Sequence, residues 1–279
     1  MHIAELWQYP VKSMIGVRVP TAQVVTSGMV GDRAWALRDE ERGGIRGAKK
    51  IGELMRLASR YPGDAVDVVE IVLPYGEVLR SSDADVDARL SAALAHHVTL
   101  WPLQPADDLD HYRRGPADHA DPIEELRQIF GREPDEPFPD FTIFPPEIME
   151  FESPLGTYVD AFPLLVMTTS ALRSLQSALP DSVIDVRRFR PNVVIDTGDA
   201  DGHPERDWVG KQLHLGGAVL DVPARCPRCV MVTREVAPDV PQDRSVLRHI
   251  VRELGQDVGV YTTVATPGTL AVGDAVSVG

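Results

Sequence analysis

Lysine and cysteine are scarce in this 279-residue chain: four lysines (Lys12, Lys49, Lys50, Lys211) stand against twenty-four arginines, and there are two cysteines. Two cysteines cannot build a disulfide framework for a protein of this size. With no export signal, both are expected as thiols in a reducing cytoplasm. Positive charge is also short, the formal net charge being −14, which speaks against general contact with nucleic-acid phosphates. It leaves room for a small anion in a local basic pocket. No stretch approaches the ~20 consecutive apolar residues of a membrane span. The opening MHIAELWQYPVKSM has no basic region followed by an apolar run, so no signal peptide is expected. The arginine-for-lysine skew reads as codon bias, which makes a lysine in an apolar context the more informative cation.

What is present is an ordinary globular composition, 43% hydrophobic and 25% charged, long enough for one large domain or two closely packed ones. The first hundred residues read as short strands: HIAELWQYPV, VPTAQVVTSG, DRAWALRDE, VDVVEIVLP and EVLRS, punctuated by turns such as SGMVGD and LPYGE. The helix DADVDARLSAALAH follows. Residues 103 to 156 change character, rich in Pro and acid, with one helical piece, PIEELRQIF. This stretch cannot be a central strand and reads as a surface linker between domains, or as a lid over a site. Beyond Pro163 the expected order is strand PLLVMTT, helix SALRSLQSAL with Ser170 as N-cap, then strands RPNVVIDT, QLHLGGAVLDVP and CVMVTRE. An amphipathic helix, SVLRHIVREL, and turn-separated strands close the chain. The fold class is mainly β with some helices, α+β, with a barrel-like core rather than a doubly wound sheet.

Both cysteines lie in DVPARCPRCVMVTRE, three positions apart. A structural zinc site needs two further ligands; there is no second cysteine pair, and no histidines show the usual H-x3-5-H spacing. A thioredoxin-like dithiol wants its first cysteine at a helix N-terminus, and the flanking sequence is of β type. A third reading makes one thiolate a ligand to a cofactor-borne metal, a soft donor beside sulfur ligands. Arg225 and Arg228 would favour that thiolate and an anionic cofactor. A fourth is a buried, inert cysteine. The motif alone leaves the last two open.

Other stretches bear on the choice. YPVKS (9–13), GDRAW (31–35), FRPN (189–192) and CPRC (226–229) occur in this order, and VGDAVSV closes the chain. Together they resemble the MOSC-domain family with its N-terminal β-barrel partner, which includes the mitochondrial amidoxime-reducing component and the C-terminal domain of molybdenum cofactor sulfurase. The resemblance implies a MOSC-type β-barrel packed against an N-terminal β-rich domain, with domains at 1–110 and 111–279. It implies molybdenum cofactor, a pterin with a metal-binding dithiolene and a phosphate anchored by basic side chains. Carried over by position, Cys229 matches the metal-ligating, catalytic cysteine. Lys12 and Ser13 match residues near the cofactor phosphate, and Arg33, Arg190 and Asn192 match cofactor-binding positions. Asp160 falls in a stretch that lines the site, and Arg228 is inferred from adjacency. A planar guanidinium fork suits phosphate and pterin, Lys12 serves as a compact charge, and Asn192 can donate and accept.

Each residue also has a plainer role. Lys12 could be a surface lysine at a strand end, Asp32 and Arg33 an exposed turn pair, and Arg190 a tie at a strand start. Trp7, Tyr9 and Trp35 read as core aromatics, and RGAKK (46–50) as an exposed basic turn or as a run that approaches the cofactor phosphate. The function implied is a molybdenum-dependent oxidoreductase that reduces N-hydroxylated small molecules. Electrons would come from a separate ferredoxin- or flavoprotein-type donor, since no cysteines remain for an iron–sulfur cluster. The alternatives are a sulfur carrier using a cysteine persulfide, and a non-catalytic carrier of the cofactor.

Overall fold

The alternating run at the N-terminus forms strand β1 (His2–Gln8), with Ile3 and Leu6 fully buried. The computed structural model describes residues 1–279. Short strands follow as β2 (Val17–Val19), β3 (Thr21–Val25), β4 (Gly28–Met29), β5 (Trp35–Asp39), β6 (Ala58–Arg60), β7 (Glu70–Val72) and β8 (Val78–Arg80). Helix α1 (Val86–Leu94) leads into β9 (Val98–Pro102), and α2 (Leu109–Tyr112) and α3 (Pro122–Phe130) lie in the acidic stretch. Then come β10 (Leu164–Thr168), α4 (Thr169–Ala178), α5 (Val186–Phe189), β11 (Val193–Asp196), β12 (Gln212–Leu215) and β13 (Ala218–Pro227). Helix α6 (Arg244–Glu253) and strands β14 (Asp257–Thr266), β15 (Gly268–Ala271) and β16 (Val276–Val278) complete a mainly β fold with six α-helices.

Eight strands make one sheet in the order β16-β12-β13-β14-β10-β11-β1-β2. All neighbours are antiparallel except β10 and β11, and that parallel pair needs a crossover, which α4 and α5 supply. The first strand therefore pairs with strands from the C-terminal half, across the boundary drawn in sequence at 110/111. The edge strands β16 and β2 do not pair, so the expected barrel is curled rather than closed. Backbone hydrogen bonds from Ile3 N to Asp274 O and from Val276 N to Met1 O draw the two ends of the chain together. Smaller sheets β15-β3-β4, β5-β9 and β6-β7-β8 surround it.

The structure corrects three expectations. CVMVTRE is not a strand; Val230–Thr233 is a 3-10 turn that opens at Cys229. Met231 packs in the N-terminal cluster and Val232 in the α6 cluster, and the backbone bonds within the turn, Val232 N to Cys229 O and Arg234 N to Met231 O, rather than to a neighbouring strand. The N-cap of α4 is Thr168, whose Oγ1 accepts from Ala171 N at 3.1 Å. Thr168 still has strand dihedrals and so occupies the half-helical flanking position, while Ser170 lies buried inside the helix. The acidic stretch is more than a surface linker: Tyr112, Phe151 and Tyr158 bury against Ala36 and Ile45.

Candidate functional site

Because β10 and β11 run parallel, the segments that lead into them, Asp160–Pro163 and Phe189–Asn192, emerge at the same end of the sheet. Asn192 stitches these two segments together. Its backbone N donates to Leu165 O at 2.8 Å, and its side-chain Oδ1 accepts from Leu165 N at 3.2 Å. The register sets Leu165 opposite Tyr261 of β14, and Phe162 stacks on Tyr261 at 4.7 Å. A cleft with a cavity volume of about 90 Å³ opens there, lined by Arg33, Asp160, Arg190, Asn192, Arg228 and Cys229 among others. Six residues singled out from sequence thus share one wall-to-wall space. Lys12 and Ser13 do not line it; they stand behind it.

Backbone conformation marks the same place. Five non-glycine residues have positive φ, and three of them are Ser13 (71°), Arg33 (48°) and Arg190 (58°). Such conformations cost on the order of 1–3 kcal/mol each and persist where the surroundings over-determine them. Here they aim side chains. Arg190 and Arg33 stack on the Tyr9 ring at 4.4 and 5.2 Å, and the Tyr9 hydroxyl donates to Pro191 O at 2.9 Å. Tyr9 is therefore a core aromatic that also serves as a platform for two arginines. Neither the Asp32–Arg33 pair nor Lys12 is the exposed feature its sequence allowed, since side-chain exposures are 2%, 14% and 4%.

The electrostatics of the two guanidiniums differ. Burial opposes the Arg33 charge, but Asp32, Tyr9 and Asp160 together outweigh it and raise its pKa. Arg190 is buried, donates to Met14 O and has no carboxylate in ion-pair reach. Burial, reinforced by the like charge of Arg33, pushes its pKa down to about 10. An under-compensated buried cation at a cleft wall is the donor set of an anion site.

Lys12 faces a different set of partners. Its Nζ donates to Asp160 Oδ1 at 2.8 Å, to Tyr158 O at 2.9 Å and to Ser153 Oγ at 3.3 Å. Burial lowers its pKa, against the pull of Asp160. Burial would raise Asp160, but Lys12, Lys49 and Arg33 outweigh it and hold the carboxyl well below the ordinary range. Ser13 Oγ accepts from Ala48 N at 2.9 Å, and a Cβ on Gly47 would come within 2.6 Å of that oxygen. The serine thus seats the RGAKK turn, which brings Lys49 Nζ to 3.5 Å from Asp160. That turn is not an exposed basic loop: Arg46 and Ala48 are buried.

The two thiols are free and unlike. Cys226 is buried beside Tyr261, and burial raises its pKa. Cys229 is partly exposed on the cleft, with the cations of Lys49, Arg132 and Arg234 near it. No group of three or more His, Cys, Asp or Glu side chains comes together to hold a metal ion, so Cys229 could only complete the coordination of a metal held mainly by another molecule. Arg228 lines the cleft, yet its donors go inward, Nε to Val258 O at 2.8 Å and Nη1 to Phe189 O at 3.0 Å. It fixes the loop that carries Cys229. Arg132, Arg234 and Tyr261 escaped sequence reasoning, because only tertiary packing brings them to the cysteines; Lys49 was reached only as part of the RGAKK run.

Comparison with known proteins follows the same outline. The family model for the MOSC N-terminal beta barrel domain matches residues 1–112 and that for the MOSC domain matches residues 156–277. Mitochondrial amidoxime-reducing component 1 of Homo sapiens is 24% identical over 308 residues, covering 98% of this chain and 82% of that protein. Mitochondrial amidoxime reducing component 2 of Homo sapiens is 25% identical over 311 residues, with the same coverage of 98% and 82%. Among solved structures, the YUAD protein from Bacillus subtilis aligns with a TM-score of 0.44 at 11% identity, covering 99% of this chain and 93% of that one.

Proposed function

From the premise that the chain belongs to the MOSC-domain family, we propose that it binds molybdenum cofactor and reduces N-hydroxylated small molecules. When bound, the cofactor supplies the two-electron chemistry that takes an N-hydroxyl oxygen to water, with electrons from a separate protein donor. The observation that carries the reading is the meeting, in one cleft, of an accessible thiol at Cys229 and a buried guanidinium at Arg190 that lacks a carboxylate partner. The thiolate is the protein's ligand to the metal, and Arg190 with Arg33 holds the anionic end of the cofactor. Relatives along 98% of the chain bear the name amidoxime-reducing component, which supports the substrate class.

The remaining residues orient and insulate. Arg228 holds the Cys229 loop against β14, and Asn192 keeps the starts of β10 and β11 in register. Lys12, Lys49 and Asp160 form a charged floor in which Asp160 keeps 46% of its side chain exposed and offers the acceptor. Stacked Phe162 and Tyr261 form an apolar wall that limits water. In the sulfur-carrier alternative, the burial of Cys226 weighs against that cysteine as the persulfide carrier and leaves Cys229.

Metal and pterin analysis of protein expressed where the cofactor is made tests the proposal. Wild type is expected to retain both with N-hydroxylated-substrate turnover, and Cys229→Ala to lose turnover while keeping its unfolding profile. Full activity in Cys229→Ala refutes it.

A further inference from the structure

A second hollow lies on the far side of the loop that carries Cys229. It has a volume of about 570 Å³, and α3, the Gly131–Pro134 turn, the 3-10 turn after Cys229 and the start of α6 enclose it. Its walls carry five arginines, Arg127, Arg132, Arg234, Arg244 and Arg248, against two glutamates, Glu124 and Glu133. That is a concentrated positive patch in a chain of net charge −14. A general preference for arginine over lysine does not by itself bring five onto one concavity from three separate segments.

Only Arg248 is paired, with Glu136 and, at 3.7 Å, Glu133. The other four have no carboxylate within 4.0 Å. The Nε atoms of Arg127 and Arg234 are buried and have no hydrogen-bond partner. Arg234 is otherwise held by a single 3.5 Å bond to Lys49 O, and Arg127 by one at 3.3 Å to Pro134 O. Folded proteins rarely leave buried donors open, and guanidinium forks match the paired oxygens of phosphate and carboxylate.

We infer that this hollow is a binding site for a small polyanion, one bearing phosphate groups or several carboxylates. The concave shape, walled by three stretches of the chain, favours a small molecule over an acidic protein surface, which a flat patch would serve. Arg132 links the site to the cleft: its Nη2 donates to Arg228 O at 3.0 Å, directly before Cys229. None of the groups assigned to the cofactor takes part, so the hollow binds its anion whether or not the cleft is a cofactor site.

Calorimetric titration of the full chain with sodium pyrophosphate, against sodium chloride at matched ionic strength, tests the inference. Wild type is expected to bind saturably. The double variant Arg127→Gln/Arg244→Gln is expected to bind ~10-fold more weakly or worse, a change of about 1.4 kcal/mol, with an unchanged melting profile. Both residues are peripheral to the core, and Arg244 makes no side-chain bond in the fold, so the variant is expected to fold. Arg190→Gln is expected to leave pyrophosphate affinity intact. The inference is overturned by non-saturable binding, by a smaller loss in the double variant, or by a loss that follows Arg190→Gln instead. Binding of an acidic peptide without saturable pyrophosphate binding overturns it as well.

Discussion

Replacing Lys12 with Met tests whether the floor of the cleft is an electrostatic unit or a packing accident. The side chain is only 4% exposed, and its three hydrogen bonds go to Asp160, Tyr158 O and Ser153. Methionine fills a similar volume, so the loss is polar. The carbonyl of Tyr158 loses its donor, at about 1–3 kcal/mol for a buried group left unmet. The ion pair with Asp160 adds less than about 1 kcal/mol, because nearly half of that carboxylate faces solvent. Against this, the variant no longer buries an ammonium whose charge burial already disfavours. The net expectation is a loss of about 1–2 kcal/mol, or roughly 2–8 °C in melting temperature, measured by urea and thermal unfolding. Asp160, held well below the ordinary carboxylate range in the fold, contributes stability that is complete above about pH 4 and declines as pH falls from there. That acid limb should shrink in Lys12→Met. A cycle with Asp160→Asn should give a favourable coupling of about 0.5 kcal/mol or more; a coupling of zero, or an unchanged acid limb, refutes the reasoning.

Two shorter tests concern the cysteine loop. Iodoacetamide at neutral pH should label Cys229 in the folded protein and spare Cys226 until denaturant is added, read by peptide mass spectrometry; equal labelling contradicts the burial argument. Gly259 has φ +76°, and a Cβ there would approach Met167 Cγ and Val166 O to 2.8 Å and Arg228 Nη2 to 3.2 Å. Gly259→Ala should therefore cost about 2–4 kcal/mol in urea unfolding and loosen the Arg228 bracket, seen as faster Cys229 alkylation. A neutral outcome would mean that Arg228 does not position the loop.

Much of the fold was legible because strand and helix periods are local properties. β1, α1, α3 and α6 follow from alternation and helical spacing alone, whereas QLHLGGAVLDVP, expected as one strand, turns back at Gly216–Gly217 into the antiparallel pair β12 and β13. The failures share one cause. CVMVTRE looks like a strand because β-branched residues report a preference for extended backbone, whereas in the fold no strand lies beside it and its backbone bonds to itself, Val232 N to Cys229 O and Arg234 N to Met231 O. The acidic stretch looks like a linker because its prolines and acids hide any period, yet Tyr112 and Phe151 join Ala36, Ile45 and Tyr158 in a small shared core.

The candidate site divides the same way. Sequence order by itself determined which residue types recur together, the lysine after YPV, the arginines of GDRAW and FRPN, and the second cysteine. Only the tertiary structure decided their roles: that Lys12 faces Asp160 rather than the open cleft, that Arg228 turns inward, and that Arg190 is left without a counter-charge. The reason is physical. A motif specifies donors and acceptors, but whether a charge is paired, buried or free depends on groups 30 to 180 residues away, which the pairing of β11 with β10 and β1, and of β13 with β14, brings within reach.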